Sequence, residues 1–336
     1  MNWHIFFPEG TPVVALPSWK QPRLYVVAYP WKWRWLASNL FPAYRLTARL
    51  RRWFLRVRAQ VLGEFRRSQG PYALDEFTRS FPHPVRPAAV LVGTAGPTQK
   101  LVVQLADPTG RTTAYVKYGE SPAARRRLEQ EFKVLSGLPD GVGPTPLGLR
   151  PIGAGLALFL SVAEGRPLPG QVFPSSETLA LVTRLWRGAM EVSVYDHPWI
   201  RRLLGACPSA EPWVKVLSSR QWAVVPMHGD LAPWNILLGP SGLRLIDWEY
   251  GSLDGFPGVD LAYHVLQAGG LLRRWPPGRA RSEAVGWLSR EMGLSRGQAE
   301  ALVRLTALAA YLQFAEDGHA SDDWFQEWRR RVWEEP

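Results

Sequence analysis

The chain of 336 residues has one cysteine, Cys207, so it can form no disulfide within itself. That suits a reducing compartment. Long apolar runs are also missing, and no stretch approaches the roughly 20 residues a membrane span needs. The opening MNWHIFFPEG has neither the basic stretch nor the apolar core of a secretory signal, and a cytoplasmic location is expected. There is no internal repeat and no low-complexity tract. Hydrophobic residues make up 46% and charged residues 21%, a balance that excludes intrinsic disorder. The length allows about two domains.

Acid is scarce in one region. Residues 1–87 hold 14 Lys+Arg against 4 Asp+Glu, leaving 26 against 25 for the rest. The net charge of +11 is therefore almost wholly a property of the first quarter. Such asymmetry points either to an anionic surface or to a solvated helix face. Within that quarter, Trp3–Phe7 and Arg23–Tyr29 read as short strands separated by prolines. From Tyr44 to Phe65 the pattern becomes helical, with Leu46, Leu50, Trp53, Phe54, Val57, Val61 and Phe65 on one stripe and arginines between. Together with Trp31-Lys32-Trp33-Arg34-Trp35 it has the composition of an interfacial element. Residues 31–67 would then contact an anionic membrane at its inner face. The other reading is a cap, its stripe buried and its arginines solvated. No RNA- or DNA-binding motif accompanies the charge, so no nucleic-acid partner is expected.

Pro82, Pro84 and Pro87 mark a boundary, making residues 1–87 a basic, aromatic extension. Residues 88–162 read as a small β-rich lobe with strands at Ala89–Val92, Leu101–Leu105 and Thr113–Tyr118. A helix follows, capped by Ser121, opened by Pro122 and ended near Gly137. Residues 163–336 are mostly helical, with one hairpin at 235–247. The expected fold class is α+β.

The chemistry concentrates in MHGDLAPWNILLGPSGLRLIDWEY, residues 227–250. Ile236–Leu238 and Leu243–Ile246 flank Gly239-Pro240-Ser241-Gly242, a turn composition. A hairpin there brings Asn235 and Asp247 to its open end, with Asp230 one tight loop earlier. Three oxygen-bearing side chains converge, a set suited to Mg2+ shared with nucleotide phosphates.

His-Gly-Asp-Leu-x-x-x-Asn followed by Ile-Asp-Trp-Glu resembles the signature of the aminoglycoside phosphotransferase and choline kinase family, whose members share the bilobal fold of protein kinases. The resemblance covers about residues 88–330. It implies an ATP- and Mg2+-dependent transfer to a small-molecule hydroxyl. Asp230 would be the general base, and Asn235 and Asp247 the metal ligands. His228 would brace the loop and Asp260 tie it down, while Glu249 is either a supporting residue or a salt-bridge partner. Upstream, Lys117 would hold the α- and β-phosphates and Glu131 would pair with it, Glu129 being the weaker choice. Gly93 and Gly96 would cover the nucleotide. The main chain around Ser161 and Ala163 would bind adenine as the hinge. Departures exclude a Ser/Thr/Tyr protein kinase: Gly229 replaces an arginine, Asp247-Trp248-Glu249 replaces Asp-Phe-Gly, and only thirteen residues separate Asp247 from Asp260.

The acceptor should lie among residues 170 to 330. Trp186, Trp199, Trp275, Trp287, Trp324 and Trp328 could stack on a sugar or enclose a choline-like cation, though tryptophan at helical spacing more often packs a core. Glu316, Asp317, Asp322 and Asp323 could attract a cation or simply line a solvated loop. A sugar or glycan hydroxyl, lipid-linked if the extension meets a membrane, is favoured over an amino alcohol or aminoglycoside. A catalytically silent scaffold is the alternative of another class.

Overall fold

Strands fill the first half of the chain because β-branched and aromatic residues come there in short runs closed by Pro, Gly or Asp. The computed structural model describes residues 2–29, 40, 50, 53, 54, 57, 64–168 and 170–335. Among them the chain is α+β, as expected, and forms two compact units. One is Met1–Phe132 with Pro144–Val162; the other is Lys133–Gly143 with Ala163–Pro336.

The first unit is built on a sheet of eight strands among the described residues. They are β1 (Pro12–Leu16), β2 (Leu24–Val27), β3 (Phe65–Arg67), β4 (Arg86–Val92), β5 (Leu101–Ala106), β6 (Thr112–Gly119), β7 (Pro146–Ile152) and β8 (Gly155–Ser161). Their order is β3-β1-β2-β4-β5-β6-β8-β7, antiparallel at every pairing. Phe6, Phe7, Leu16, Leu24, Leu74, Val103 and Phe159 are among the side chains of its core. Each such burial contributes about 1.5–3 kcal/mol. The short helix α1 (Asp75–Arg79) sets Phe77 on Phe159, ring centroids 4.2 Å apart. Helix α2 (Pro122–Gly137) starts where expected, with the Ser121 hydroxyl accepting from the Ala124 N–H at 3.1 Å.

Three expectations for the first quarter are corrected. Trp3–Phe6 is a 3-10 helix and not a strand. Its cap Asn2 accepts from His4, and Trp3 stacks on Tyr25 at 4.8 Å, so local capping and ring packing override strand propensity. The sheet crosses the boundary expected at residue 87. β4 begins at Arg86 and pairs with β2, because β2 is buried at all four positions and needs a strand on each side. Finally, most of the helix expected over Tyr44–Phe65 lies outside the described residues. Its described members Leu50, Trp53, Phe54 and Val57 are each helical and exposed. Phe65 lies on β3, opposite Val14.

The second unit is largely helical: α3 (Ser176–Arg184), α4 (Pro198–Ala206), α5 (Glu211–Val216), α6 (Val259–Leu272), α7 (Pro277–Glu291), α8 (Arg296–Glu316) and α9 (Trp324–Glu334). Short strands punctuate it: β9 (Arg166–Pro167), β10 (Glu191–Val192), β11 (Trp222–Ala223), β12 (Val225–Met227), β13 (Ile236–Gly239), β14 (Gly242–Leu245) and β15 (Ser252–Gly255). Trp222 is fully buried against Phe256, ring centroids 4.8 Å apart. The helix α6 is buried along its first three turns, so every polar residue in it must be paired or functional. Trp199, Trp287 and Trp328 are buried, as packing residues would be.

Candidate active site

Strand β12 pairs with β15 and leads straight into His228-Gly229-Asp230. The chain turns there because Asp260, in the first turn of α6, grips two successive amides. Its carboxylate accepts from the His228 N–H at 2.7 Å and the Gly229 N–H at 2.8 Å. His228 is fully buried and bridges the loop to the hairpin. Its Nδ1 accepts from the Asp230 N–H at 3.2 Å, which leaves Nε2 to donate to the Ile246 carbonyl at 2.9 Å. Gly229 has φ +75°, and a Cβ there would lie 2.0 Å from the Tyr250 carbonyl oxygen. No side chain fits, which is the physical reason for glycine at this position.

The hairpin of β13 and β14 closes in register, Ile236 opposite Leu245 and Gly239 opposite Gly242. Just past that register the Ile246 N–H donates to the Asn235 carbonyl at 3.0 Å. The Asn235 amide nitrogen donates to both the carbonyl and the carboxylate of Asp230, each at 2.9 Å. Its nitrogen being committed, the Asn235 side-chain oxygen is the atom left to ligate a cation. Asp247 follows with φ +64°, a left-handed conformation uncommon outside glycine but tolerated by Asp. Backbone strain of this kind is often found at functional positions.

Asp230 is half-exposed by area yet densely enclosed by protein, and burial pushes its carboxyl up to about 6. The charge of Asp247 pushes the same way, while Tyr263, Arg329 and Asn235 oppose. The Tyr263 hydroxyl is near Asp230 and Arg329 without closing a hydrogen bond of normal geometry. Burial raises the Asp260 carboxyl to about 6 as well, against the two amides it accepts from.

Tyr263 and Arg329 were not legible in the sequence. Tyr263 lies three residues after Asp260 in a helix whose other polar residues are His264 and Gln267, and the spacing from Asp260 is its one signal. Arg329 is the first of three consecutive arginines, and nothing distinguishes it from its neighbours. It is buried, with its guanidinium 3.9 Å from the Phe314 ring centre and 4.5 Å from that of Phe325, and it donates to Gln326 at 2.8 Å. Among the acidic candidates, Asp317 is buried and accepts from the Tyr250 hydroxyl at 2.9 Å. Asp323 caps α9 through the Phe325 and Gln326 amides.

In the other unit, Lys117 on β6 places Nζ 2.6 and 2.8 Å from the two Glu131 oxygens on α2. Glu131 is fully buried, whereas Glu129 is exposed. Gly93 and Gly96 lie in the turn from β4 to β5. The Gly93 N–H donates to the Lys100 carbonyl at 2.8 Å, and a Cβ on Gly93 would meet that oxygen at 2.7 Å. Ser121 ties this turn to the start of α2 by donating to the Pro97 carbonyl at 2.5 Å. Ser161 ends β8, its hydroxyl accepting from the Thr145 N–H at 2.7 Å, and Ala163 follows two residues on, where the second unit resumes. Glu249 stands half-buried in the turn Trp248–Tyr250.

Residues 149–296 match the phosphotransferase enzyme family, and the His228–Asp230 loop, the β13–β14 hairpin and Asp260 fall inside the matched stretch. Over 64 residues the chain is 41% identical to the thiamine kinase of Salmonella paratyphi B, which is 19% of this chain and 20% of that one. The thiamine kinase of Salmonella newport matches to the same extent. The chain thus spans about a fifth of the length of the curated relatives it matches. Among solved structures, an ethanolamine kinase of Plasmodium vivax is similar with a TM-score of 0.49 and 11% identity, over 77% of this chain and 84% of that one. A thermostable mutant of an aminoglycoside phosphotransferase follows at TM-score 0.46 and 14% identity, over 74% and 94%.

Proposed function

We propose that the protein is an ATP- and Mg2+-dependent kinase that moves the γ-phosphate of ATP to a hydroxyl of a small molecule. The observation that supports it most is the double hydrogen bond from Asn235 to Asp230, which orients the carboxylate toward the role of base and leaves the Asn235 side-chain oxygen for a metal ion. The donors suit the ion: Asn235 and Asp247 offer two hard oxygens, as expected for Mg2+ that shares its remaining positions with phosphate and water. When bound, Mg2+ supplies charge neutralisation at the transferring phosphate.

In this reading Asp230 accepts a hydrogen bond from the acceptor hydroxyl and takes its proton. The hydroxyl oxygen bonds to the γ-phosphorus, and the bond from that phosphorus to the β–γ bridging oxygen breaks. The products are ADP, a phosphate ester and the proton held on Asp230. Lys117, steadied by Glu131, holds the α- and β-phosphates. Gly93 and Gly96 cover the nucleotide, and the main chain at Ser161 and Ala163 receives adenine. His228 and Asp260 keep the loop in place, with Glu249 in support.

The acceptor we infer is a sugar or glycan hydroxyl. Buried Arg329 near Asp230 disfavours a cationic acceptor. Asp317 is buried against the Tyr250 hydroxyl and Asp323 caps α9, so both are committed to local structure. Among the described residues no helix is long and apolar enough to cross a membrane. A peripheral contact through residues 31–67 would give access to a lipid-linked acceptor.

The test is an acceptor screen with γ-labelled ATP across sugars, amino alcohols, thiamine and aminoglycosides, with Asp230→Asn and Asp247→Ala as controls. A labelled sugar phosphate made only by the wild type is the expected result. A labelled amino alcohol or aminoglycoside would overturn the acceptor. No labelled product and no ATP turnover from a folded, ATP-binding chain would overturn the activity.

A further inference from the structure

Among the described residues of the second unit, Arg281, Arg304 and Arg329 are buried arginines. A guanidinium taken out of water needs a counter-charge, and buried arginines are accordingly paired. Arg281 and Arg304 obey: both reach one Glu300 carboxylate oxygen, at 3.1 and 2.7 Å. Arg329 is the most deeply buried of the three, at 4% exposed, and closes no ion pair among the described residues. It donates instead to Gln326 at 2.8 Å, a neutral amide whose own nitrogen is tied to the Tyr311 carbonyl at 3.1 Å. The rings of Phe314 and Phe325 hold the guanidinium in place, at 3.9 and 4.5 Å, without cancelling its charge.

A second polar group beside it is also unanswered. The Tyr263 hydroxyl, near both Arg329 and Asp230, is buried with no hydrogen-bond partner. Such a hydroxyl costs free energy unless something from outside the chain satisfies it. Nor does His319 give its Nε2 a partner, and its ring centre lies 5.1 Å from that of Phe314. Asp230 and Phe314 are each partly exposed, so this side of the base is open to a ligand.

The chemistry of these groups selects what they bind. A guanidinium has donors only, and a tyrosine hydroxyl can donate beside it. A cation would be repelled, and a neutral hydroxyl would leave the charge of Arg329 uncompensated. A carboxylate or phosphate answers both, its oxygens matching the guanidinium fork with charge-assisted bonds.

We propose that Arg329 and Tyr263 hold an anionic group, a carboxylate or a phosphate, on the acceptor, which is thus an acidic sugar. The inference rests on the sugar-kinase reading above and names the substrate class of that same site.

The experiment compares hexoses with their uronates and 1-phosphates as acceptors for the full chain and γ-labelled ATP. At least one acidic member should exceed its neutral parent tenfold or more in kcat/KM, and whether it is the uronate or the phosphate identifies the anion. Arg329→Gln should raise KM for that acceptor by about thirtyfold with kcat within a few-fold, erasing the preference. Tyr263→Phe, which removes one oxygen atom and keeps the packing, should raise the same KM by about fivefold. Arg329→Lys should recover part of the loss, since charge returns without the fork. The acidic sugar should also raise the melting temperature of Asp230→Asn, a reading that needs no turnover. Neutral sugars used as well as their acidic counterparts would overturn the proposal and leave the kinase reading standing. So would a preference that survives Arg329→Gln, or a fall in kcat shared by neutral and acidic acceptors, which marks a role in positioning the base. Acidic sugars that stabilise Asp230→Asn but are never phosphorylated by the wild type would keep the subsite and overturn the kinase reading.

Discussion

Truncating Glu131 separates what the Lys117–Glu131 pair does for folding from what it does for ATP. The Lys117 side chain is 9% exposed and that of Glu131 not at all, with both carboxylate oxygens within 2.8 Å of Nζ. Glu131→Leu leaves a cation in a low-dielectric site facing an apolar group. Breaking one side of a buried pair costs about 3–5 kcal/mol. At about 2–4 °C per kcal/mol for a domain of this size, the melting temperature should fall by roughly 10 °C. Adding Lys117→Met removes the stranded charge, and a buried pair replaced by apolar residues is often neutral or better. The double variant should therefore regain most of the lost stability while remaining inactive, because no cation is left for the phosphates. Melting curves for the wild type, both single variants and the double variant, beside ATP-binding and turnover assays, give the four corners of a cycle. If Glu131→Leu melts within 1 °C of wild type, or the double variant melts no higher than Glu131→Leu, the reasoning fails. An active double variant would remove Lys117 from the nucleotide site.

Asp230→Asn should keep ATP affinity within a few-fold and lower kcat by about 10²–10⁴, as rapid-quench turnover would show. Gly229→Ala must displace the Tyr250 carbonyl and adopt a left-handed backbone, so it should lower both melting temperature and activity. Asp260→Ala strands the His228 and Gly229 amides, each about 1–3 kcal/mol, and urea titration should detect the loss. His264 is enclosed in α6, where burial lowers its pKa to about 4 against the opposing effect of the Gln171 backbone. The folded value lies below the unfolded one of 6.5, so the unfolded chain binds the extra proton as pH falls through 6.5 towards 4. His264 by itself should contribute a loss of about 3 kcal/mol across that window, at 1.36 kcal/mol per pH unit. Asp230 and Asp260 oppose it, because their raised carboxyls favour the folded chain as pH falls. The loss is therefore read as the difference between wild type and His264→Leu. Urea titrations at pH 4.5 and 7.5 for both proteins decide it.

The hairpin and the loop before it were legible because their determinants are local: a Gly-Pro-Ser-Gly turn between apolar runs, with polar residues at fixed offsets. The Ser121 cap was equally local. What escaped were choices settled by distant parts of the chain. Trp3–Phe6 has strand composition, but Asn2 and the ring of Tyr25 draw it into a 3-10 turn. The prolines near residue 87 suggested a boundary, yet β4 starts there since Pro87 is buried in the sheet at a register shift, where the ladder is already irregular. Arg329 reaches the neighbourhood of Asp230 from about a hundred residues away, and no spacing rule could place it.

The pairing of β2 with β4 has a practical bearing on how this protein can be shortened. A chain cut to begin at residue 88 would lose β1 and β2 and leave β4 with a row of unanswered amides and carbonyls along one side. An apolar strand with an open flank is a template for other chains, and such a fragment should precipitate or stack edge to edge. Lys117 and Glu131, which it retains, would be of little use in that state. The basic first quarter is, before anything else, the seal on the sheet's margin.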